Sequence, residues 1–327
     1  FNSFQWPAYS SAISMLVPID QFGRASGMVQ IADSIASIGA PLLAGTLMGF
    51  LPVHSILFID LATFLIALIT LVIIRIPQPE YSLESQQARG SLLREAAFGW
   101  KFISKRPGLL GLLIYFASTN FFYSIAQVLF TPMILSFTTP STLGAILSTG
   151  GFGMLAGSLF ISIWGGPKRK VSSIFIFGLI QGLVSAAVGA TVNTTILSIL
   201  MFIIFFNSPV VNASSQAIWQ SKTTPDVQGR VFSVRRMIAW GTIPLANLLA
   251  GPLADKVFEP WMAVDGLLAG TVGRLIGAGP GRGIGFLLII LGIFSMISTL
   301  ILRFYSQTWH VETRLPDMVP DHQVSST

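Results

Sequence analysis

Apolar residues run along this chain in near-continuous stretches, separated by short polar segments and without the period-two alternation of half-buried strands. About 20 apolar residues in a helix cross a bilayer core, and unbroken rather than alternating apolarity predicts helices, not barrel strands. Nine candidate spans follow, near residues 1–17, 25–50, 53–74, 109–137, 142–164, 171–192, 195–218, 231–257 and 284–303. The one long polar interruption, Arg75 to Gly108, carries Pro77, Pro79, Gln86 and Gln87 and reads as a linker. A short amphipathic helix is expected within it, around Leu92 to Ile103.

One frame occurs twice: Asp-x-x-Gly-Arg, seventeen residues, then Leu-Leu-Ala-Gly. Asp20, Gly23, Arg24 and Leu42 to Gly45 return as Asp226, Gly229, Arg230 and Leu248 to Gly251, each 206 residues later. A polar turn entering an apolar segment at a fixed offset is the mark of a duplicated membrane bundle. The second copy has about two hundred residues before it and the first has nineteen. Three further spans are therefore expected before Phe1.

Composition strengthens the membrane reading. Hydrophobic residues make up 52% and charged residues 10%, where soluble domains carry about a quarter charged, and the mean hydropathy is +0.73. The net charge of +6 does not point to nucleic acid, because the cations sit in short loops rather than on one face of a soluble domain. Their distribution sets an orientation. Lys256, Arg274 and Arg282 share one side, and the other 16 of the 19 Lys and Arg residues share the opposite one, which the positive-inside rule makes cytoplasmic. The linker and the tail after Arg303 are thus expected in the cytoplasm of a cell-membrane protein. With no cysteine and only His54, His310 and His322, no metal centre is suggested.

Several stretches, in this order and spacing, carry a family resemblance. They are Pro7-Ala8, Leu16-Val17-Pro18 and Gly23-Arg24-Ala25; Gly229-Arg230-Val231-Phe232; Leu249 to Asp255; and Gly277 to Gly283. Together they resemble the major facilitator superfamily, in the branch that holds macrolide-efflux proteins and the enterobactin exporter, up to about Tyr305. The resemblance implies an all-α membrane fold of twelve spans, six plus six, of which nine are expected here. It divides the chain into a partial first bundle (1–75), a cytoplasmic linker (76–108), a six-helix second bundle (109–305) and a cytoplasmic tail (306–327). It also implies secondary transport by alternating access, as a proton-coupled exporter of an amphipathic drug, siderophore or secondary metabolite. The expected partners are that small molecule, protons and the bilayer, with no nucleic acid, no cofactor and a monomeric state.

Two motifs sharpen this. The second span resembles the antiporter motif of drug:proton exporters, Gly, eight residues, Gly, three residues, Gly-Pro, two residues, Gly-Gly. Its positions are Gly27, Ala36, Ala40, Pro41, Ala44 and Gly45, so small residues persist where three glycines have become alanine. Small side chains let helices approach closely, and Pro41 removes a backbone hydrogen bond and permits a bend. Between the fifth and sixth spans, Gly165, Gly166, Pro167, Lys168, Arg169 and Lys170 resemble the superfamily's cytoplasmic loop motif without its acidic member.

Polar residues inside spans are costly and so mark candidate sites. Asp33 and Asp60 lie within the second and third spans and are proton-coupling candidates, since burial raises a carboxyl pKa toward neutrality. Asp33 is preferred, because the resemblance puts the third span in an outer layer. Asn120, Tyr123 and Gln127 in the fourth span, and Asn207, Asn212 and Gln216 in the seventh, are substrate-cavity candidates. Asn120 and Gln127, seven apart, share a helix face; interhelical hydrogen bonding explains any one of these amides equally well. The Gly277 to Gly283 loop lacks phosphate-loop spacing and reads as a flexible external connector. No nucleophile, base and orienting group converge at recognisable spacing, so the chain is not read as an enzyme. The competing reading is a membrane scaffold or sensor, or an inactive fragment, that keeps the transporter fold.

Overall fold

The computed structural model describes residues 17–18, 21–32, 34–35, 55, 58, 61–65 and 92–318. Among them a 13-residue helix, α1 (Leu92–Ser104), precedes six long helices: α2 (Pro107–Leu135), α3 (Pro140–Trp164), α4 (Lys170–Ala190), α5 (Thr194–Ser221), α6 (Pro225–Leu253) and α7 (Arg282–Phe304). A π-helical turn, Ala254–Phe258, and Glu259–Met262 extend α6. All six long helices have the length and apolarity to cross a membrane, and they coincide with the six later candidate spans. The spans near 1–17, 25–50 and 53–74 lie largely outside the described residues, where residues 22–32, 34–35 and 61–65 are helical.

Local chemistry sets the helix starts. Pro107, Pro140 and Pro225 occupy the first turn of α2, α3 and α6, where a backbone N–H has no intrahelical partner to lose. Asn193 caps α5 by accepting from the N–H groups of Thr195 and Ile196 at 3.0 and 3.1 Å. At its far end α3 stops on Gly165, whose φ of 73° is left-handed.

The helices pack in a continuous sequence of neighbours: α3 on α5, α5 on α4, α4 on α7, α7 on α2 and α2 on α6, with α1 laid along α6. Small residues make the tightest seams. A Cβ at Gly153 or Gly157 of α3 would strike the backbone carbonyls of Phe202 or Phe206 in α5, and Gly189 of α4 meets Gly285 of α7 in the same way. Lipid gives no hydrophobic drive for helix association, so such backbone proximity supplies the van der Waals contact instead. Two large apolar clusters add to these seams. One surrounds Ile125, Met133, Ile146 and Leu287, and the other joins Leu109, Ile174, Trp219 and Phe232 to Val311 of the tail.

One loop differs from its expected character. Gly277, Gly279 and Gly281 take positive φ values, but the segment they form is held in place. Glu259 accepts from the N–H groups of Gly281 and Ile284 at 3.1 and 2.9 Å, and Arg282 Nη1 donates to the Ile276 carbonyl at 3.0 Å. The first N–H groups of α7 need acceptors, and a carboxylate from the end of the preceding helix reaches them. A connector expected to be flexible is therefore a capped turn.

Candidate functional site

The six long helices leave a cavity of about 330 Å³ between α2, α4, α5, α6 and α7. Asn120, Tyr123 and Gln127 of α2 line it with Gln181 of α4, Asn212 of α5 and Trp240 of α6. None of its described lining residues is charged. Amides and aromatic rings of this kind offer hydrogen bonds at fixed points on an otherwise apolar wall, the common make-up of small-molecule sites. Asn120 also serves the fold, since its Nδ2 donates to the Ala239 carbonyl of α6 at 2.9 Å. Among the described residues Asn212 makes a long 3.3 Å contact to Ser208 one turn away.

The other two cavity candidates lie elsewhere. Asn207 is buried at 2% exposure and is not among the lining residues. Gln216 accepts from Arg235 Nη1 at 2.9 Å, while Arg235 Nη2 donates to Ser215 Oγ at 3.1 Å and the guanidinium stands 5.0 Å over the Trp219 ring. Arg235 and Gln181 were not singled out from sequence as site residues. Gln181 had a visible signal, a lone amide in an apolar run; Arg235 was counted only toward orientation.

A second site joins residues near the start of the chain to α3 and α5. Gly27 is the one described member of the antiporter-like motif, and a Cβ there would stand 2.7 to 2.9 Å from Ser162 of α3. One turn or more further along, Ser34 Oγ lies 2.9 Å from Ser158 Oγ, also of α3. Phe22 is fully buried against Ala217 of α5. Residues 22–32 and 34–35 thus pack on α3 through Gly27 and Ser34 and on α5 through Phe22. Ala36, Ala40, Pro41, Ala44 and Gly45, and both Asp33 and Asp60, lie outside the described residues.

The loop between α3 and α4 meets this seam. Gly23 abuts the Gly165 carbonyl, which also accepts from Lys170 Nζ at 2.6 Å. Gly165 and Gly166 take φ values of 73° and 80°, and Lys168 is exposed. Arg169 turns toward the tail, donating to the Trp309 carbonyl at 2.7 Å and lying 4.5 Å over its ring. Short backbone distances of this kind require glycine at position 23.

Comparisons with known proteins agree with this architecture. Macrolide efflux protein A of Streptococcus pyogenes is 26% identical over 274 residues, covering 82% of this chain and 67% of that protein. Macrolide efflux protein A of Enterococcus faecalis is 27% identical over 250 residues, covering 75% and 76%. The MFS-type transporter YfiS of Bacillus subtilis is 25% identical over 308 residues, covering 91% and 68%. The model of the Major Facilitator Superfamily matches residues 1–244, so it takes in the helical residues 22–32 and 34–35, α2 to α5 and most of α6, whereas α7, which also walls the cavity, lies beyond it. Among the described residues the bundle is all-helical with six membrane-length spans, and with this match it establishes that the chain belongs to the Major Facilitator Superfamily, whose members are transporters rather than enzymes.

Proposed function

We propose that this protein exports an amphipathic small molecule by alternating access, its two half-bundles rocking about a site near the bilayer midplane. The carrying observation is the cavity that gathers Asn120, Tyr123, Gln127 and Asn212 with no charge among its described lining. Its volume of about 330 Å³ is at the low end for small-molecule sites, so the second bundle alone would hold a small ligand or one part of a bulky one. Relatives named for macrolide efflux support the outward direction of transport. Proton entry would drive the return step, with Asp33 ahead of Asp60 as the group that takes up the proton. The division at 1–75, 76–108, 109–305 and 306–327, a monomeric state and a cytoplasmic linker and tail belong to the same reading.

The test uses cells expressing the complete gene and loaded with a fluorescent amphipathic dye or a macrolide. Accumulation should fall relative to vector control, and a protonophore should restore it. Accumulation equal to the control for every such compound would remove the export reading. Efflux that persists through collapse of the proton gradient would remove the coupling.

A further inference from the structure

The α3–α4 loop has the glycines and the cations of its motif but no acidic residue. A carboxylate nevertheless reaches it. Glu312, in the short tail helix Val311–Arg314, accepts from the backbone N–H groups of Lys170 and Val171, one through each oxygen and each at 2.9 Å. These N–H groups begin α4, which has no side-chain cap from its own N-cap residue Arg169. A helix N-terminus presents unpaired donors and about half a positive charge, and the tail carboxylate answers both.

The tail that carries Glu312 is itself fixed. Lys222, only 3% exposed at the end of α5, donates to the carbonyls of Glu312 and Leu315 at 2.7 and 2.6 Å and pairs with Asp317 at 2.9 Å. The N–H of Met318 donates to the Ser221 carbonyl at 2.8 Å. Val311 is fully buried, against Gly108 at the start of α2. The same loop faces the first half on its other side, where Gly165 meets Gly23 and the aliphatic part of Arg24.

We propose that Glu312 is a positioning residue of the contact between the halves: from the tail it sets the start of α4 and the loop 165–171, which keeps Gly165 against Gly23. The acid that the loop motif lacks in sequence is supplied in space from more than 140 residues away. Losing it leaves two N–H groups without their acceptor and frees the loop to withdraw from the seam helix. The halves then separate more often at this end. The proposal rests on the alternating-access reading only for its meaning in transport, so its test reads distance and needs no substrate.

Spin labels on Gln21→Cys and Lys168→Cys, both exposed positions, report the gap between the halves in the protein expressed from its complete gene and placed in nanodiscs. A second pair off the loop, Ser141→Cys with Lys105→Cys, both exposed, reports order within the second bundle. Glu312→Ala should add a longer-distance population to the first pair and leave the second unchanged. Glu312→Gln keeps one acceptor oxygen and should give an intermediate population. Lys222→Gln, which loosens the tail while retaining Glu312, should shift the first pair in the same direction and carries the test where Glu312→Ala does not insert. Unchanged first-pair distances overturn the proposal. So does equal broadening of both pairs, which would make Glu312 a support of local order alone.

Discussion

Gln181 lines the cavity, yet its side-chain oxygen is shut away from solvent and has no hydrogen-bond partner among the described residues. Leaving a buried acceptor unsatisfied costs about 1–3 kcal/mol. A residue retained for the fold alone would gain nothing from such an atom. Replacing it with leucine removes the unsatisfied group at similar volume, so Gln181→Leu should melt at the same or a higher temperature in detergent. If the amide turns to present this oxygen to the transported molecule, the same change should cut efflux about two- to tenfold, the worth of one hydrogen bond. Raised stability with efflux fully retained would mark Gln181 as a packing defect. Asn120 predicts differently from the same wall, because its amide already bonds the Ala239 carbonyl and its loss would disturb the α2–α6 contact as well. Lining the cavity is thus compatible with quite different roles, and the hydrogen-bond inventory separates them.

At the scale of elements, the tightest seams are made by backbone, and they offer a direct test. Gly157 of α3 lies against the Phe206 carbonyl of α5, where no side chain fits unless the helices part. Gly157→Leu should destabilise the bundle by about 1–3 kcal/mol, the usual cost of overpacking, read as a lower melting temperature. Gly144 of the same helix has open space around its Cβ position among the described residues, so Gly144→Leu should change the melting temperature little. The six later spans were legible because apolar run length follows from bilayer thickness. The seams were not, because a glycine's letter does not say what it faces. Gly23 and Gly229 hold the same place in the repeated frame, yet the first abuts the Gly165 carbonyl and the second has nothing within 4 Å of its Cβ position among the described residues. Helix rotation explains part of the candidate cavity too. Asn120 and Gln127, seven residues apart, return to one face and both line it. Asn207 and Asn212 are five apart, which at about 100° per residue turns them roughly 140° from each other, and only Asn212 arrives. Glu312 was illegible for a further reason: its partners at the start of α4 are over 140 residues distant, and only the packed tail brings them together.

For the whole molecule, the helix order turns a charge pattern into a test of sidedness. Antiparallel spans place the start of α2, the α3–α4 loop, the end of α5, the start of α6 and the end of α7 at one end of the bundle. That end carries Lys101, Lys105 and Arg106, then Lys168 to Lys170, Lys222, Arg230 and Arg303. The opposite end has Lys256, Arg274 and Arg282, and the acids Glu259 and Asp265 lie beside them. Cations close to span ends resist translocation while acids contribute little, so the richer end should be cytoplasmic. The seam at Gly23 and Gly165 and the Glu312 brace then sit on the side from which a cytoplasmic compound enters, whereas the Glu259-capped turn faces outward. Single cysteines at Lys168 and Arg274, both exposed, can be probed with a membrane-impermeant maleimide in intact cells. Arg274→Cys should label before lysis and Lys168→Cys only after it. The reverse order would invert the molecule and, with it, the side on which the brace acts. Equal labelling before lysis would mean that this charge imbalance does not set topology, and the export direction would then rest on the likeness to efflux proteins alone.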